Sequence, residues 1–319
     1  MNKQSLMEFH SEALEQREML AGNVTVVVDG DDVLIRGDGS ANSVQVSFSE
    51  TGELVVEGGD GTVITGGDTG VQVSNLTIRL GGGDDTLTID SDPLSGIRGN
   101  LTVIGNAGDD AITLRGAVEG TTEIRTGGGH DSVFAERFFP KDEVFIGTSC
   151  GDDSVNLLLV EATTTDVSVF MRGGQDSVDI ESSNFRQLDV STGGGDDDVT
   201  IAVNGVDIPQ QVSMGLASTI HLGAGHDQLE TRLSTLYSIG PSTPVDPDLI
   251  LGRSSGLDTK VDPRIGTASY LIFTSEQASL QVAGGAGSDE LFVNGEEIDG
   301  FIATDILNAV SFASFEIQN

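Results

Sequence analysis

The chain has 319 residues, with 51 Asp and Glu against 15 Lys and Arg, for a formal charge of −36. A surface so acidic repels phosphate backbones and anionic bilayers, which argues against nucleic acid and anionic membrane as partners and in favour of cations. Apolar residues at 37% that recur with a strict period set disorder aside, and no apolar run reaches the ~18 residues of a membrane-spanning helix.

Residues 3–20 (KQSLMEFHSEALEQREML) read as a short amphipathic helix. They lack the apolar stretch of roughly 7 to 15 residues found in an ordinary signal peptide. After Gly22 the pattern changes to alternation. One domain is expected over 23–319, with regular rungs at 75–234, an irregular loop at 235–270 and final rungs at 271–319.

The alternation is organised by a repeat. Gly-x-Asp-x-apolar appears eight times, at Gly83 to Leu87, Gly108 to Ile112, Gly129 to Val133, Gly151 to Val155, Gly174 to Val178, Gly195 to Val199, Gly225 to Leu229 and Gly287 to Leu291. Its aspartates, Asp85, Asp110, Asp131, Asp153, Asp176, Asp197, Asp227 and Asp289, step by 25, 21, 22, 23, 21, 30 and 62 residues. A period in this range marks stacked supersecondary units.

Within one unit, Leu76, Ile78 and Leu80 alternate with Thr77 and Arg79; after Gly81-Gly82-Gly83-Asp84-Asp85, Leu87 and Ile89 alternate with Thr86, Thr88 and Asp90. Period-two alternation buries one set and wets the other, so each unit is strand, glycine turn, strand. The same pattern recurs through Leu101 and Val103, Val144 and Ile146, Val167 and Val169, and Leu188 and Val190. Glycine supplies positive φ at the reversals, and Asp closes such turns through its own backbone. One strand pair cannot bury its inner face alone, whereas a stack can. The fold class is all-β: a parallel β-solenoid (β-helix) with one Gly/Asp-rich turn per rung of about 22 residues, after a short N-terminal helix.

The edges are less regular. Asn42 resembles a degenerate early turn residue, and Asp60 is expected to mark another. Gly256-Leu257-Asp258 falls midway between Asp227 and Asp289, which suggests a decayed rung there. Four of the seven prolines and both tyrosines lie in 235–270, so a long loop is expected to leave the stack. The single cysteine, Cys150, excludes an intramolecular disulfide framework.

Gly284-Gly285-Ala286-Gly287-Ser288-Asp289-Glu290-Leu291-Phe292 fits the nonapeptide of RTX-type (haemolysin-type) repeats throughout, and the other seven copies resemble it. They keep the fourth-position Gly, the sixth-position Asp and the eighth-position apolar residue. The first-position Gly is replaced in six copies, by Leu80, Thr126, Thr148, Met171, Thr192 and Leu222. The resemblance implies calcium as the ligand of these turns. Leu14-Glu15-Gln16-Arg17-Glu18-Met19-Leu20-Ala21 is similar to the LEPR-XLL segment of large bacterial surface proteins, and implies that 1–22 is an export or sorting segment and that the chain is extracellular or at the bacterial cell surface.

Stacking places equivalent residues about 4.8 Å apart. Two carboxylates at that spacing repel by roughly 3 to 4 kcal/mol at an effective dielectric of about 20. A column of Asp85, Asp110, Asp131, Asp153, Asp176, Asp197, Asp227 and Asp289 therefore needs relief. Calcium, which accepts about six to eight oxygens, suits it, with turn carbonyls around Gly82, Gly128 and Gly194 completing the shell. The competing expectation is plain turn chemistry, with the aspartates splayed at a wet edge and screened by salt. A second Asp at 84, 109, 152 and 196 serves either reading. His130 and His226 occupy that same position and read as exposed turn residues.

An enzymatic alternative is a β-helix polysaccharide lyase or glycosidase acting near the 235–270 loop. That loop offers Asp246, Asp248, Arg253, Asp258, Lys260, Asp262 and Arg264, with Tyr237 and Tyr270. No carboxylate pair is singled out by spacing, tryptophan is absent, and the charge opposes acidic polysaccharides. The favoured expectation is a non-enzymatic, calcium-associated solenoid with a structural or adhesive role, its partners calcium ions and surface or matrix components.

Overall fold

The computed structural model describes residues 22–91, 96–202, 211–214, 217–232, 235–238, 270–273, 279–283, 286–287, 290–293, 296–297 and 310–313. The N-terminal helix expected at 3–20, most of the 235–270 loop and Asp289 lie outside these residues.

The architecture is a parallel β-solenoid, as the repeat predicts. In a first sheet, Leu76–Gly82, Leu101–Ala107, Thr122–Gly128, Val144–Gly147, Glu161–Phe170 and Asn184–Ser191 pair in parallel, one strand per rung. A second sheet stacks Thr86–Asp90, Ala111–Val118, Ser132–Pro140, Ser154–Leu158, Ser177–Glu181, Asp198–Ala202 and Gln228–Arg232 in the same way. Register is tight because a slip of one residue would turn the apolar set outward. It aligns Ile78, Val103, Ile124, Ile146, Val169 and Val190 across the first sheet. Leu87, Ile112, Val133, Val155, Val178 and Val199 form the matching ladder of the second sheet. All twelve are buried, and the two ladders together make the core.

Each rung turns at two corners. One is the glycine–aspartate turn between the sheets. The other lies late in the second-sheet strands or just past them, where Gly116 (φ 88°) and Arg137 (φ 49°) within their strands and Leu159 (φ 55°) and Ser182 (φ 50°) after theirs are all left-handed. They stand at equivalent positions after Asp110, Asp131, Asp153 and Asp176. Beyond those positions Phe138, late in Ser132–Pro140, and Phe185, early in Asn184–Ser191, are buried and add bulk to the core.

The N-terminal end departs from the all-parallel expectation. Asn23–Asp29 pairs antiparallel with Asp32–Arg36, and Ser43–Phe48 pairs antiparallel with Leu54–Gly59. One strand of each hairpin then pairs in parallel with the stack, Asp32–Arg36 on Leu76–Gly82 and Ser43–Phe48 on Thr86–Asp90. Hairpins therefore occupy the end of the stack, where a solenoid needs a cap. Asp60 (φ 47°) belongs to this hairpin region, where Thr62 N–H donates to Gly59 O, and not to the aspartate column.

A second finding concerns the long step after Asp227. Gln228–Arg232 pairs directly with Glu290–Val293, and Ala217–His221 pairs with Ser279–Ala283. The step of 62 residues between the two aspartates thus joins strands that are direct neighbours in the stack, and the decayed rung expected at 256–258 lies outside the described residues. Part of the intervening chain returns to the first sheet, where Tyr270–Phe273 lies between Gln211–Met214 and Thr235–Ser238.

Candidate functional site: a buried aspartate column

The glycine–aspartate corner brings the sequence-predicted residues together. Asp85, Asp110, Asp131, Asp153, Asp176, Asp197 and Asp227 are all at most 2% exposed. The expectation of carboxylates splayed at a wet edge is therefore overturned: these side chains turn inward and are hydrogen-bonded along the stack. Asp85 N–H donates to Asp110 Oδ1 (3.0 Å), Asp110 N–H to Asp131 Oδ1 (2.8 Å), and Asp131 N–H to Asp153 Oδ1 (2.8 Å). The chain of bonds continues from Asp153 to Asp176 (2.9 Å), Asp176 to Asp197 (2.9 Å) and Asp197 to Asp227 (3.0 Å).

Asn42 ends the column, as its sequence context suggests. Its N–H donates to Asp85 Oδ1 at 2.7 Å, and its side-chain amide donates to the same atom at 3.0 Å. The amide also reaches Ser40 O at 2.8 Å and Leu80 O at 3.2 Å.

A second thread runs beside the first, in the opposite sense and exposed. Asp109 N–H donates to Asp84 Oδ1 (2.9 Å), His130 N–H to Asp109 Oδ1 (2.7 Å), Asp152 N–H to His130 Nδ1 (2.9 Å) and Gln175 N–H to Asp152 Oδ1 (2.8 Å). His226 N–H donates to Asp196 Oδ1 at 2.9 Å. Two consecutive residues of one turn are thereby tied to both neighbouring rungs. The histidines are members of this thread, and His130 stands in for Asp there because its Nδ1 offers an acceptor at the right reach.

Two of the three turn carbonyls expected as ligands already accept a hydrogen bond. Gly128 O accepts from Gly108 N–H (3.0 Å), and Gly194 O from Gly174 N–H (3.0 Å). The turn backbone packs rung on rung so closely that a Cβ on Gly129 would stand 2.1 Å from Gly108 O, and one on Gly151 1.7 Å from Gly129 O. These glycines also hold φ 141° and 129°, so both their conformation and the approach of the next rung demand glycine.

The other carboxylate oxygen carries the chemistry. The Oδ2 atoms of Asp85, Asp110, Asp131, Asp153, Asp176 and Asp197 are buried and receive no hydrogen bond. Asp110, Asp153 and Asp197 lie beside the first-position residues of their own repeats, Gly105, Thr148 and Thr192. A Cβ on Gly105 would lie 2.1 Å from Asp110 Oδ2 and 2.2 Å from Thr126 O, so a carboxylate oxygen and a carbonyl oxygen converge on that glycine. In the other copies the same position holds a buried side chain, Leu80, Thr126, Thr148, Met171, Thr192 or Leu222. The six departures from the glycine consensus are thus the residues that wall off the column.

Electrostatics follow from that wall. Burial pushes Asp110 up to about 7 and Asp85 and Asp176 up to about 6, against the amide hydrogen bonds that each accepts. Burial also raises Asp153 and Asp197, opposed by the backbone bonds and by the hydroxyls of Thr148 and Thr192. The Thr148 hydroxyl stands beside Asp153 without reaching hydrogen-bond geometry, while Thr192 donates to Leu222 O at 2.6 Å. Two oxygen acceptors directed at one point, as Asp110 Oδ2 and Thr126 O are at Gly105, repel as they approach unless a proton or a cation lies between them.

The unpartnered oxygens are a donor set that a hard cation accepts, since calcium is bound by carboxylate and carbonyl oxygens. The carboxylates come one per rung. Among the described residues no group of three or more His, Cys, Asp or Glu side chains gathers on one point. Among the described residues, too, no helix is long and apolar enough to cross a membrane. The side chains of Tyr237 and Tyr270, and the remaining candidates of the enzymatic reading, lie outside what the structure describes.

Compared with protein-family models, curated proteins and solved structures, the chain matches none.

Proposed function

We propose that the chain is an exported, non-enzymatic β-solenoid scaffold that acts at a bacterial cell surface in a structural or adhesive role and is calcium-associated. The observation that supports this reading is the continuous column of buried carboxyl groups with unpartnered Oδ2 atoms, set in a chain of charge −36. Such a column is weakest where its members are ionised and strongest where they are neutralised. Calcium, when bound, supplies that neutralisation through Asp85, Asp110, Asp131, Asp153, Asp176, Asp197, Asp227 and Asp289. The concentration of calcium outside cells suits weak sites of this kind, whose dissociation constants run at about 10⁻⁴ to 10⁻³ M. The LEPR-XLL-like segment supports export.

The test is thermal unfolding followed by circular dichroism at pH 8, with millimolar calcium, with magnesium, and with chelator. A rise in Tm with calcium alone, lost in Asp131→Ala and Asp153→Ala, supports calcium as ligand through binding linkage. Equal melting in all three buffers removes calcium and leaves a proton as the neutralising partner. Protease shaving of intact cells tests display: a chain that stays protected contradicts it.

A further inference from the structure

We propose that the outer face of the first sheet carries a saccharide-binding groove, specific for a pyranose unit that bears a carboxylate. The groove has a volume of ≈370 Å³, and its lining crosses four consecutive rungs, from Leu101–Ala107 to Glu161–Phe170. It is a feature of outward side chains alone and goes beyond the scaffold reading, because it depends on neither calcium nor export.

A stack of planar groups lies along it. The Arg125 guanidinium sits 4.6 Å over the Phe145 ring, and the Phe145 and Phe170 rings are stacked with centroids 5.7 Å apart. Register makes the stack possible. Arg125, Gly147 and Phe170 are direct neighbours on adjacent strands, and Gly147 leaves the space that the Phe145 ring crosses, since a Cβ there would meet that ring at 2.7 Å. Covering a glycine explains Phe145 structurally. It does not explain Phe170, which ends the stack 43% exposed and adds an aromatic face to a chain with only 5% aromatic residues.

The charge beside that face identifies the ligand. Arg172 lines the groove two residues beyond Phe170, is exposed, and forms no ion pair among the described residues. Asp189, on the next strand, already accepts from Gln187 (2.8 Å) and Thr219 (2.7 Å). A guanidinium with open valence pairs best with a planar carboxylate, and an open aromatic face takes the apolar side of a ring. Both demands meet in a sugar acid. The groove crosses successive rungs, which suits a chain of such rings better than a compact molecule. The −36 of the whole chain does not forbid this. Charges more than about 8 Å away are screened at physiological ionic strength, so the adjacent guanidinium decides the local field.

The experiment is calorimetric titration of the whole chain with a galacturonate trimer and, in parallel, with a neutral glucose trimer. Binding of the acidic trimer, with at least tenfold weaker binding of the neutral one, is the expected result. Phe170→Ala and Arg172→Gln should each weaken it at least tenfold. Arg172→Gln, at an exposed side chain, should leave Tm unchanged, while Phe170→Ala gives up the ring contact with Phe145 and should lower Tm slightly, leaving the chain folded at the titration temperature. No heat at millimolar acidic trimer, equal binding of the neutral trimer, or full binding by both variants overturns the proposal. Because the column is untouched by these variants, failure here leaves the calcium test unaffected.

Discussion

The main-chain amide of Asp110 donates to Asp131 Oδ1 at 2.8 Å, while Asp110 Oδ1 accepts the amide of Asp85 at 3.0 Å. Each aspartate is therefore both donor and acceptor along the stack, and the column acts as a polar seam inside a β-structure. A buried amide left without a partner costs ~1–3 kcal/mol, so the carboxyl oxygens earn their place whatever their charge. Their second oxygens are the weak point of the design.

That weakness has a sign. Folding raises Asp110 to about 7 and Asp85 and Asp176 to about 6, whereas an unfolded Asp titrates near ~3.9. Between about pH 4 and pH 7 the folded chain thus holds protons that the unfolded chain has released. The stability these groups contribute is fully present below pH ~4 and is lost as pH rises through their folded values. In calcium-free buffer the urea midpoint should fall from pH 5 to pH 8. A midpoint that rises over this range would contradict the column's protonation.

General charge repulsion in so acidic a chain changes stability in the same direction, and Asp110→Asn separates the two. Asparagine keeps an oxygen for the Asp85 amide and presents an NH₂ toward Thr126 O, a role that Asn42 already fills at the column's end. Without calcium, Asp110→Asn should stabilise at pH 8 by roughly 1–3 kcal/mol, the cost of an unsatisfied buried group. The gain should shrink toward pH 5, where Asp110 is itself protonated. A loss of stability at pH 8 in chelator would show that the Asp110 carboxylate is already satisfied in its ionised form.

The column's positions were legible because Gly-x-Asp-x-apolar repeats at a nearly fixed step, and the strands were legible because Leu76, Ile78, Leu87 and Ile89 alternate with polar residues. The burial of the aspartates was not. Asp at a turn ordinarily faces water, and Thr126, Thr148 or Met171 read as decay of a glycine consensus when they are the wall beside the carboxyl. That all six replacements are apolar or Thr was the available signal. The second corner left no mark, since Gly116, Arg137, Leu159 and Ser182 share a conformation and no chemistry. The Arg125, Phe145 and Phe170 stack needs cross-strand register, which single-strand alternation does not supply.

Gly105 and Gly284 are the two first positions that kept their glycine, and at Gly105 the structure gives the reason. A methyl there would sit 2.1 Å from Asp110 Oδ2 and 2.2 Å from Thr126 O, and the second of these is backbone. Gly105→Ala should therefore destabilise by roughly 1–3 kcal/mol, as overpacking does. Thr126→Ala, one rung on, removes a buried hydroxyl with no partner and should cost less. Chemical denaturation of the two variants side by side checks the order, and equal losses would mean that the Gly105 site relaxes freely.

The core ladders predict how the whole stack fails. Ile180 is fully buried and registers with Leu157 on one side and Ile201 on the other, so truncation opens a cavity shared by three rungs. Ile180→Ala should cost about 2–5 kcal/mol. In a solenoid each rung contacts only its neighbours, so stability is close to a sum of rung and interface contributions. A cavity at one interface therefore weakens the coupling between the rungs before Ser177–Glu181 and those after it. Hydrogen exchange should then show protection lost first in the second-sheet strands on either side of residue 180, while Leu87 and Ile112 amides stay protected. Uniform loss of protection along the chain would instead show that the stack unfolds as a single cooperative unit.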